Sequence, residues 1–238
     1  MIDGRTLGVL GGTFDPIHYG HLDAADAARQ ALALGEIVLI PAHDPPHKPD
    51  DPRASAFHRF ALASLAIADR AGYRVSDVEL TREGQSYTID TLRTLHGEGW
   101  QPSQLFFILG ADAFAEIATW YMFPGVLDAA HFVVIARPGT TIEQALARTP
   151  DLRTRVDAGR LKSAPTKEER GGRLQSAHEN TAIFLVEART RDVSSTTIRE
   201  RLAARQPIDD LVPSAVARHI DAHQLYGAVG RLHDDQSN

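Results

Sequence analysis

Cysteine is missing from all 238 residues. Without it the chain can hold no disulfide framework, thiolate zinc site, iron–sulfur cluster or cysteine nucleophile, which suits a reducing compartment. Long apolar runs are also lacking. None approaches the ~20 residues that a membrane span needs, so no membrane partner is expected. Met1 is followed by a polar, charged start and almost at once by a strand-like run, which is not the form of a signal peptide. A cytoplasmic protein is therefore expected. Basic residues are in deficit: 25 Lys and Arg against 31 Asp and Glu give a net charge of −6. That argues against a nucleic-acid partner, since binding a phosphate backbone needs clustered Lys and Arg. Small anionic substrates remain open wherever positive groups gather locally. Internal repeats and heptads are absent too. What remains, 43% apolar and 24% charged residues, is the composition of a globular protein large enough to bury a substantial core.

Continuous apolar runs alternate with amphipathic stretches along the chain, the pattern of a parallel sheet buried under helices on both faces. Strands are expected at 7–10, 37–41, 74–78, 105–109, 132–136 and 183–186, and helices at 21–34, 56–70, 88–95 and 113–117. Their order predicts right-handed crossovers and an α/β, doubly wound, Rossmann-like parallel sheet with a small C-terminal helical extension. We expect one domain over residues 1–227, its helical C-terminal part at about 194–227, and a flexible tail over 228–238. Residues 158–180 are rich in Lys, Arg, Glu, Gly and Ser with little to bury, and read as a long mobile loop or partly helical insertion. In such a sheet, ligands sit beyond the C-terminal ends of the strands.

The strongest local signal is Gly11-Gly12-Thr13-Phe14-Asp15-Pro16-Ile17-His18-Tyr19-Gly20-His21, between the first strand and the first helix. Two adjacent glycines let backbone approach a phosphate, and a helix start supplies N–H groups and a positive dipole end. Histidines at i and i+3 share one helical face. Together these suggest a triphosphate cradle with two imidazole donors; the blander reading is a tight turn with polar capping residues. The segment lacks the Gly-Lys-Ser/Thr ending of a Walker loop and the full spacing of a dinucleotide fingerprint. Downstream, Pro45-Pro46-His47-Lys48-Pro49 is a stiffened loop in which Lys48 is either a phosphate contact or a solvated turn residue. Val193-Ser194-Ser195-Thr196-Thr197-Ile198-Arg199-Glu200 follows the last strand and begins a helix. Thr197 and Glu200 have capping-box spacing, the helix start is an anion site, and Arg199, one turn in, can add a charge-assisted contact.

Gly12-Thr13-Phe14-Asp15-Pro16 with His18 and His21, and Ser194-Ser195-Thr196 with Ile198 and Arg199, resemble the two signatures of the HxGH nucleotidyltransferase superfamily. Further segments narrow the resemblance: Ser86-Tyr87-Thr88-Ile89-Asp90-Thr91-Leu92, Gly110-Ala111-Asp112, Trp120 and Arg137-Pro138-Gly139. With the Pro-Pro-His-Lys loop, Val212-Pro213 and the run from Ile220 through His223 and Leu225-Tyr226 to Gly227, they are similar to the bacterial nicotinate-nucleotide adenylyltransferase family. The resemblance spans roughly residues 6–227, and the stretch 158–180 is longer than that family leads us to expect.

The resemblance implies adenylyl transfer from ATP to nicotinic acid mononucleotide, with both as small-molecule partners. It implies that Gly11, Gly12, Thr13 and Phe14 contact ATP or the adenylyl product, and that His18 and His21 bind phosphates together with Lys48 and Arg199. Asp112 would face the adenosine ribose, with Gly110 also in the nucleotide site, while Ser195, Thr196, Ile198 and Arg199 hold the adenine and triphosphate region. Tyr87, Thr88 and Trp120 would form the nicotinate pocket, Trp120 stacking on the cationic pyridine ring. Mg²⁺ is expected on the ATP phosphates, with no metal-binding cage of protein side chains. A homo-oligomer is compatible with all of this. Competing readings are another phosphate acceptor (nicotinamide mononucleotide or phosphopantetheine) and a non-catalytic nucleotide sensor.

Overall fold

A computed structural model describes residues 5–45, 53–136, 152, 155–156 and 181–228. Six strands, β1 (Leu7–Gly12), β2 (Glu36–Pro41), β3 (Tyr73–Val75), β4 (Leu105–Gly110), β5 (His131–Ala136) and β6 (Ile183–Glu187), form one sheet in the order β3-β2-β1-β4-β5-β6. Every neighbouring pair is parallel. Both faces of the sheet are covered, which is why β4 reads Leu-Phe-Phe-Ile-Leu instead of alternating with polar residues. Side chains still alternate between faces. In β2, Ile37 and Leu39 enter one core and Val38 and Ile40 the other. This is the doubly wound Rossmann-like order, and it reverses between β1 and β4, so a crevice opens beyond the C-terminal ends of those strands.

Helices α1 (Tyr19–Leu32), α2 (Ala56–Ala66), α5 (Ser195–Ala203) and α6 (Ser214–Ala222) cover one face; α3 (Thr88–Gly97) and α4 (Ala111–Ala115) cover the other. On α1 the buried positions are Leu22, Ala25 and Ala28, a stripe at helical spacing whose small alanines let the helix lie close to the strands. Each fully buried Leu or Ile contributes roughly 1.5–3 kcal/mol relative to its exposed state. No described helix is long and apolar enough to cross a membrane.

Several boundaries differ from the sequence expectation. The first helix starts at Tyr19 rather than 21, which puts His18 at its cap. The helix expected over 56–70 stops at Ala66. Beyond it Arg70 pairs with Asp26 at 2.7 Å, and Gly72 adopts a φ of +79° that lets the chain turn into β3. Strand β3 itself is only three residues long and pairs with β2 alone, at the sheet edge. The helix expected at 113–117 begins at Ala111, directly on the end of β4, and a 3₁₀ turn, Ile117–Thr119, follows it. The expected insertion at 158–180, the Arg137-Pro138-Gly139 turn and residues 229–238 of the expected tail lie outside the described residues.

Candidate active site

The crevice at the strand-order reversal is a cleft of about 730 Å³, within the ~300–1,000 Å³ usual for small-molecule sites. One wall is the β1–α1 turn. Phe14 has a φ of +50°, uncommon for an aromatic residue, and its ring is fully buried with an edge toward His21 at 5.1 Å between centroids. His18 and His21 stack at 3.7 Å between ring centroids, and both line the cleft. The His18 N–H donates to His21 Nδ1 at 3.3 Å. Nδ1 is the acceptor in that contact, which leaves Nε2 as the ring nitrogen of His21 able to donate. Gly20 makes room for the pair: a Cβ there would stand 3.1 Å from His18 Nδ1 and 3.3 Å from the Arg191 carbonyl oxygen.

Three charged side chains brace this turn from behind. Asp15, 5% exposed, accepts from the N–H groups of Arg53 at 2.7 Å and Ala54 at 3.0 Å and from the Tyr226 hydroxyl at 2.9 Å. Arg59 is fully buried, and its guanidinium donates to the carbonyls of Ala54 (3.2 Å), Thr13 (2.9 Å) and Ala42 (2.5 Å). Burial lowers its pKa, opposed by the charge of Asp15. Arg199, on α5, donates to the Asp15 carbonyl at 2.7 Å and to Thr196 Oγ1 at 3.2 Å. Ser195, beside it, donates to the Pro16 carbonyl at 2.9 Å. The two signature segments therefore meet directly across the sheet end.

The opposite wall is built from the starts of α3 and α4. Thr88 opens α3, whose first N–H groups have no intrahelical partner. Trp120 follows the 3₁₀ turn and stands edge-on to Phe107 at 5.9 Å. Tyr87 packs against Tyr121 at 4.5 Å, and its hydroxyl bonds to Gln85.

Of the residues expected from the sequence, Gly11, Gly12, Thr13, Phe14, His18 and His21 line this cleft. So do Thr88, Gly110, Asp112, Trp120 and Ser195. Arg199, Thr196 and Tyr87 flank it without lining it. Ile198 is fully buried in the core between α5 and the sheet, so only its backbone could serve a ligand. Lys48 lies outside the described residues. The helix cap also differs from expectation: Ser194, not Thr197, caps α5, its hydroxyl accepting from the Thr197 N–H at 3.0 Å. Sequence reasoning missed the bracing roles of Asp15, Arg59 and Tyr226. Asp15 and Tyr226 stand inside segments already singled out; Arg59 carries no signal, being one arginine on an amphipathic helix.

A helix start with paired imidazoles, facing a second capped helix start that carries an arginine, defines a nucleotidyltransferase. A model of the cytidylyltransferase-like family matches residues 9–201. The chain is 40% identical over 221 residues to a Roseiflexus protein named "Probable nicotinate-nucleotide adenylyltransferase", covering 92% of this chain and 97% of that one. A protein of the same name from Yersinia enterocolitica is 39% identical, covering 93% and 96%. The solved structure of Plasmodium falciparum nicotinic acid mononucleotide adenylyltransferase complexed with NaAD superposes with a TM-score of 0.68 at 18% identity, covering 94% of this chain and 98% of that one, a likeness of fold. The chain belongs to the nicotinate-nucleotide adenylyltransferase family.

Proposed function

We propose that this protein transfers the adenylyl group of ATP to nicotinic acid mononucleotide, giving deamido-NAD and pyrophosphate. The observation that carries the reading is the joining, in one cleft, of the His18–His21 helix start to the Thr88 helix start and Trp120. The mononucleotide phosphate is already an anionic nucleophile, so no general base or covalent residue is needed. One of its oxygens attacks the α-phosphorus of ATP in line, a new P–O bond forms, and the bond from the α-phosphorus to the bridging oxygen breaks as pyrophosphate leaves. The chemical obstacle is repulsion between two polyanions, which positioning and charge neutralisation overcome. His18 donates to the α-phosphate oxygens as charge builds. His21, through Nε2–H, and Arg199 steady the β,γ portion, and Lys48 holds one of the reacting phosphates.

Gly11, Gly12, Thr13 and Phe14 offer backbone and hydroxyl groups to the nucleotide, Gly110 and Asp112 face its ribose, and Ser195, Thr196 and the Ile198 backbone border the adenine and triphosphate. Tyr87, Thr88 and Trp120 receive the nicotinate. Among the described residues no cluster of three His, Cys, Asp or Glu could hold a metal. Mg²⁺ would reach the site on the triphosphate and would supply neutralising charge there. We read residues 1–227 as one catalytic unit, supported by the bond from Tyr226 to Asp15, and the protein as cytoplasmic.

An acceptor screen tests the reading. Pyrophosphate should be released from ATP only when a mononucleotide is added. A carboxamide turns its NH₂ toward the donors at the start of α3 and leaves buried groups unpaired, at ~1–3 kcal/mol each. We therefore expect at least ~10²-fold higher kcat/KM for nicotinic acid mononucleotide than for nicotinamide mononucleotide. Comparable values would remove the carboxylate pocket from this account; preference for phosphopantetheine would replace the acceptor altogether.

A further inference from the structure

The connector from β6 to α5, residues 188–194, borders one end of the cleft, which its Thr190 and Val193 line together with Gly20, His21 and Ala24. The two ends of the connector are tied elsewhere: the Ala188 N–H donates to the Ala136 carbonyl at 3.0 Å, and the Ser195 hydroxyl to the Pro16 carbonyl at 2.9 Å. Between those ties Arg191 holds α1. Its main-chain N–H at 2.9 Å and its Nε–H at 3.1 Å both donate to Asp23 Oδ2, and its Nη2 donates to Oδ1 at 3.0 Å. A carboxylate that takes both prongs of a guanidinium is fixed in direction as well as distance. The guanidinium also lies 3.7 Å from the centre of the Tyr19 ring, a cation–π contact. The Asp23 side chain is 18% exposed, so these donors stand largely in place of water. The Arg191 carbonyl in turn accepts from the Val193 N–H at 3.0 Å, the turn that carries Val193 to the cleft.

We propose that Asp23 and Arg191 are a positioning pair that sets the affinity for ATP by holding the connector against the first turns of α1. Neither residue needs to touch the nucleotide. What the pair fixes is the spacing of Thr190 and Val193 from Gly20, His21 and Ala24, and a spacing set in advance spares the bound nucleotide the entropy of ordering the connector. The α-phosphate is handled by His18, whose turn is braced separately by Asp15, Arg59 and Arg199. Loss of the pair therefore loosens ATP without slowing transfer once ATP is bound. The acceptor wall stands on α3 and α4, on the other face of the sheet, and is indifferent to it. The inference rests on the reading that ATP occupies the His18–His21 side of the cleft.

The test uses the full chain with Asp23→Asn, Arg191→Lys, Arg191→Ala and the double variant Asp23→Asn with Arg191→Ala, beside the unmodified enzyme. It measures kcat, both KM values, thermal melts and the Kd for an ATP analogue with a methylene group between the α- and β-phosphorus, which cannot transfer its adenylyl group. Arg191→Ala should raise the KM for ATP and the analogue Kd about fivefold, the upper end for an exposed ion pair, while kcat and the KM for the mononucleotide hold. Asp23→Asn should do nearly the same, and the double variant no more than Arg191→Ala alone, because one interaction is lost only once. Arg191→Lys keeps the charge without the fork and should fall between. An unchanged KM for ATP with an unchanged Kd overturns the inference. So do effects that add in the double variant, or a rise shared by the mononucleotide KM, the mark of a pair that only stabilises the fold. Should Arg191→Ala fail to fold, Asp23→Asn and Arg191→Lys carry the test. The titration needs no acceptor, so a different acceptor in the screen leaves its result intact; if the unmodified protein does not bind the analogue, the placement of ATP falls first and this inference with it.

Discussion

The two walls of the cleft are held in place by opposite means. On the ATP side the groups that matter are tied across the whole chain: Ser195 to Pro16, Arg199 to Asp15 and Tyr226 to Asp15 join residues 179, 184 and 211 positions apart. The acceptor side is tied over shorter spans: Glu79 and Thr91 are 12 positions apart, Tyr87 and Gln85 two, and the longest reach, Ser86 to His43, is 43. Charged side chains and main-chain carbonyls brace the first; hydroxyls and aromatic rings shape the second. A triphosphate is the same in every nucleotidyl transfer, so the wall that meets it can be locked into the sheet. Acceptors differ, and a wall made of short local segments can be altered without disturbing the fold.

Several changes would break or sharpen this contrast. The largest effect is expected from His18→Ala, on the locked wall. Turnover should drop by about 2–4 kcal/mol of transition-state stabilisation, as for loss of one oxyanion-type donor. Folding and the KM for the mononucleotide should be preserved; unchanged turnover in the purified variant would end His18's role. Next is a change that should spare the contrast entirely. His131, at the N-terminal end of β5 away from the cleft, is 7% exposed, and burial pushes its pKa down to about 4. The unfolded chain, with an ordinary value near 6.5, binds the proton more readily. The neutral-state contribution to stability is therefore fully present above pH 6.5 and is lost as pH falls toward 4, by about 3 kcal/mol. Urea unfolding of the protein and His131→Gln at pH 7, 5 and 4 checks this: the variant should lose that part of the acid slope, and an identical slope contradicts it. Smallest is Trp120→Ala on the local wall. It should weaken both mononucleotides about fivefold, the scale of one aromatic stack, and leave the KM for ATP alone. Selective loss of one mononucleotide, or a shift in the ATP KM, would mean that the two walls are not independent.

Much of the locked wall was legible in the sequence because its elements announce themselves. An apolar strand followed by Gly11-Gly12, the Asp15-Pro16 pair and two histidines places a turn, a helix start and a polar cleft edge in one line. The Ser194–Arg199 helix start was legible for the same reason, although capping assigned from spacing picked Thr197 where the geometry uses Ser194. Arg59 and Glu79 were not legible. A single charged residue in a polar neighbourhood reads as solvated, and what makes each of them structural is a carbonyl or hydroxyl brought up by another element: Thr13 for Arg59, Thr91 for Glu79. The short β3 and early end of α2 were missed because periodicity does not register a turn such as the one at Gly72, whose φ is +79°.

Asp15 also sets an order of events in the life of the chain. It leaves the ribosome 184 residues ahead of Arg199 and 211 ahead of Tyr226, yet its carbonyl waits for the first and its carboxylate for the second. Strands β1, β2 and β3 can pair, and α1 and α2 can dock, long before either arrives. The nucleotide wall can therefore be finished only when translation has passed residue 226, and a nascent chain stalled earlier carries the histidines without the brace that sets their turn.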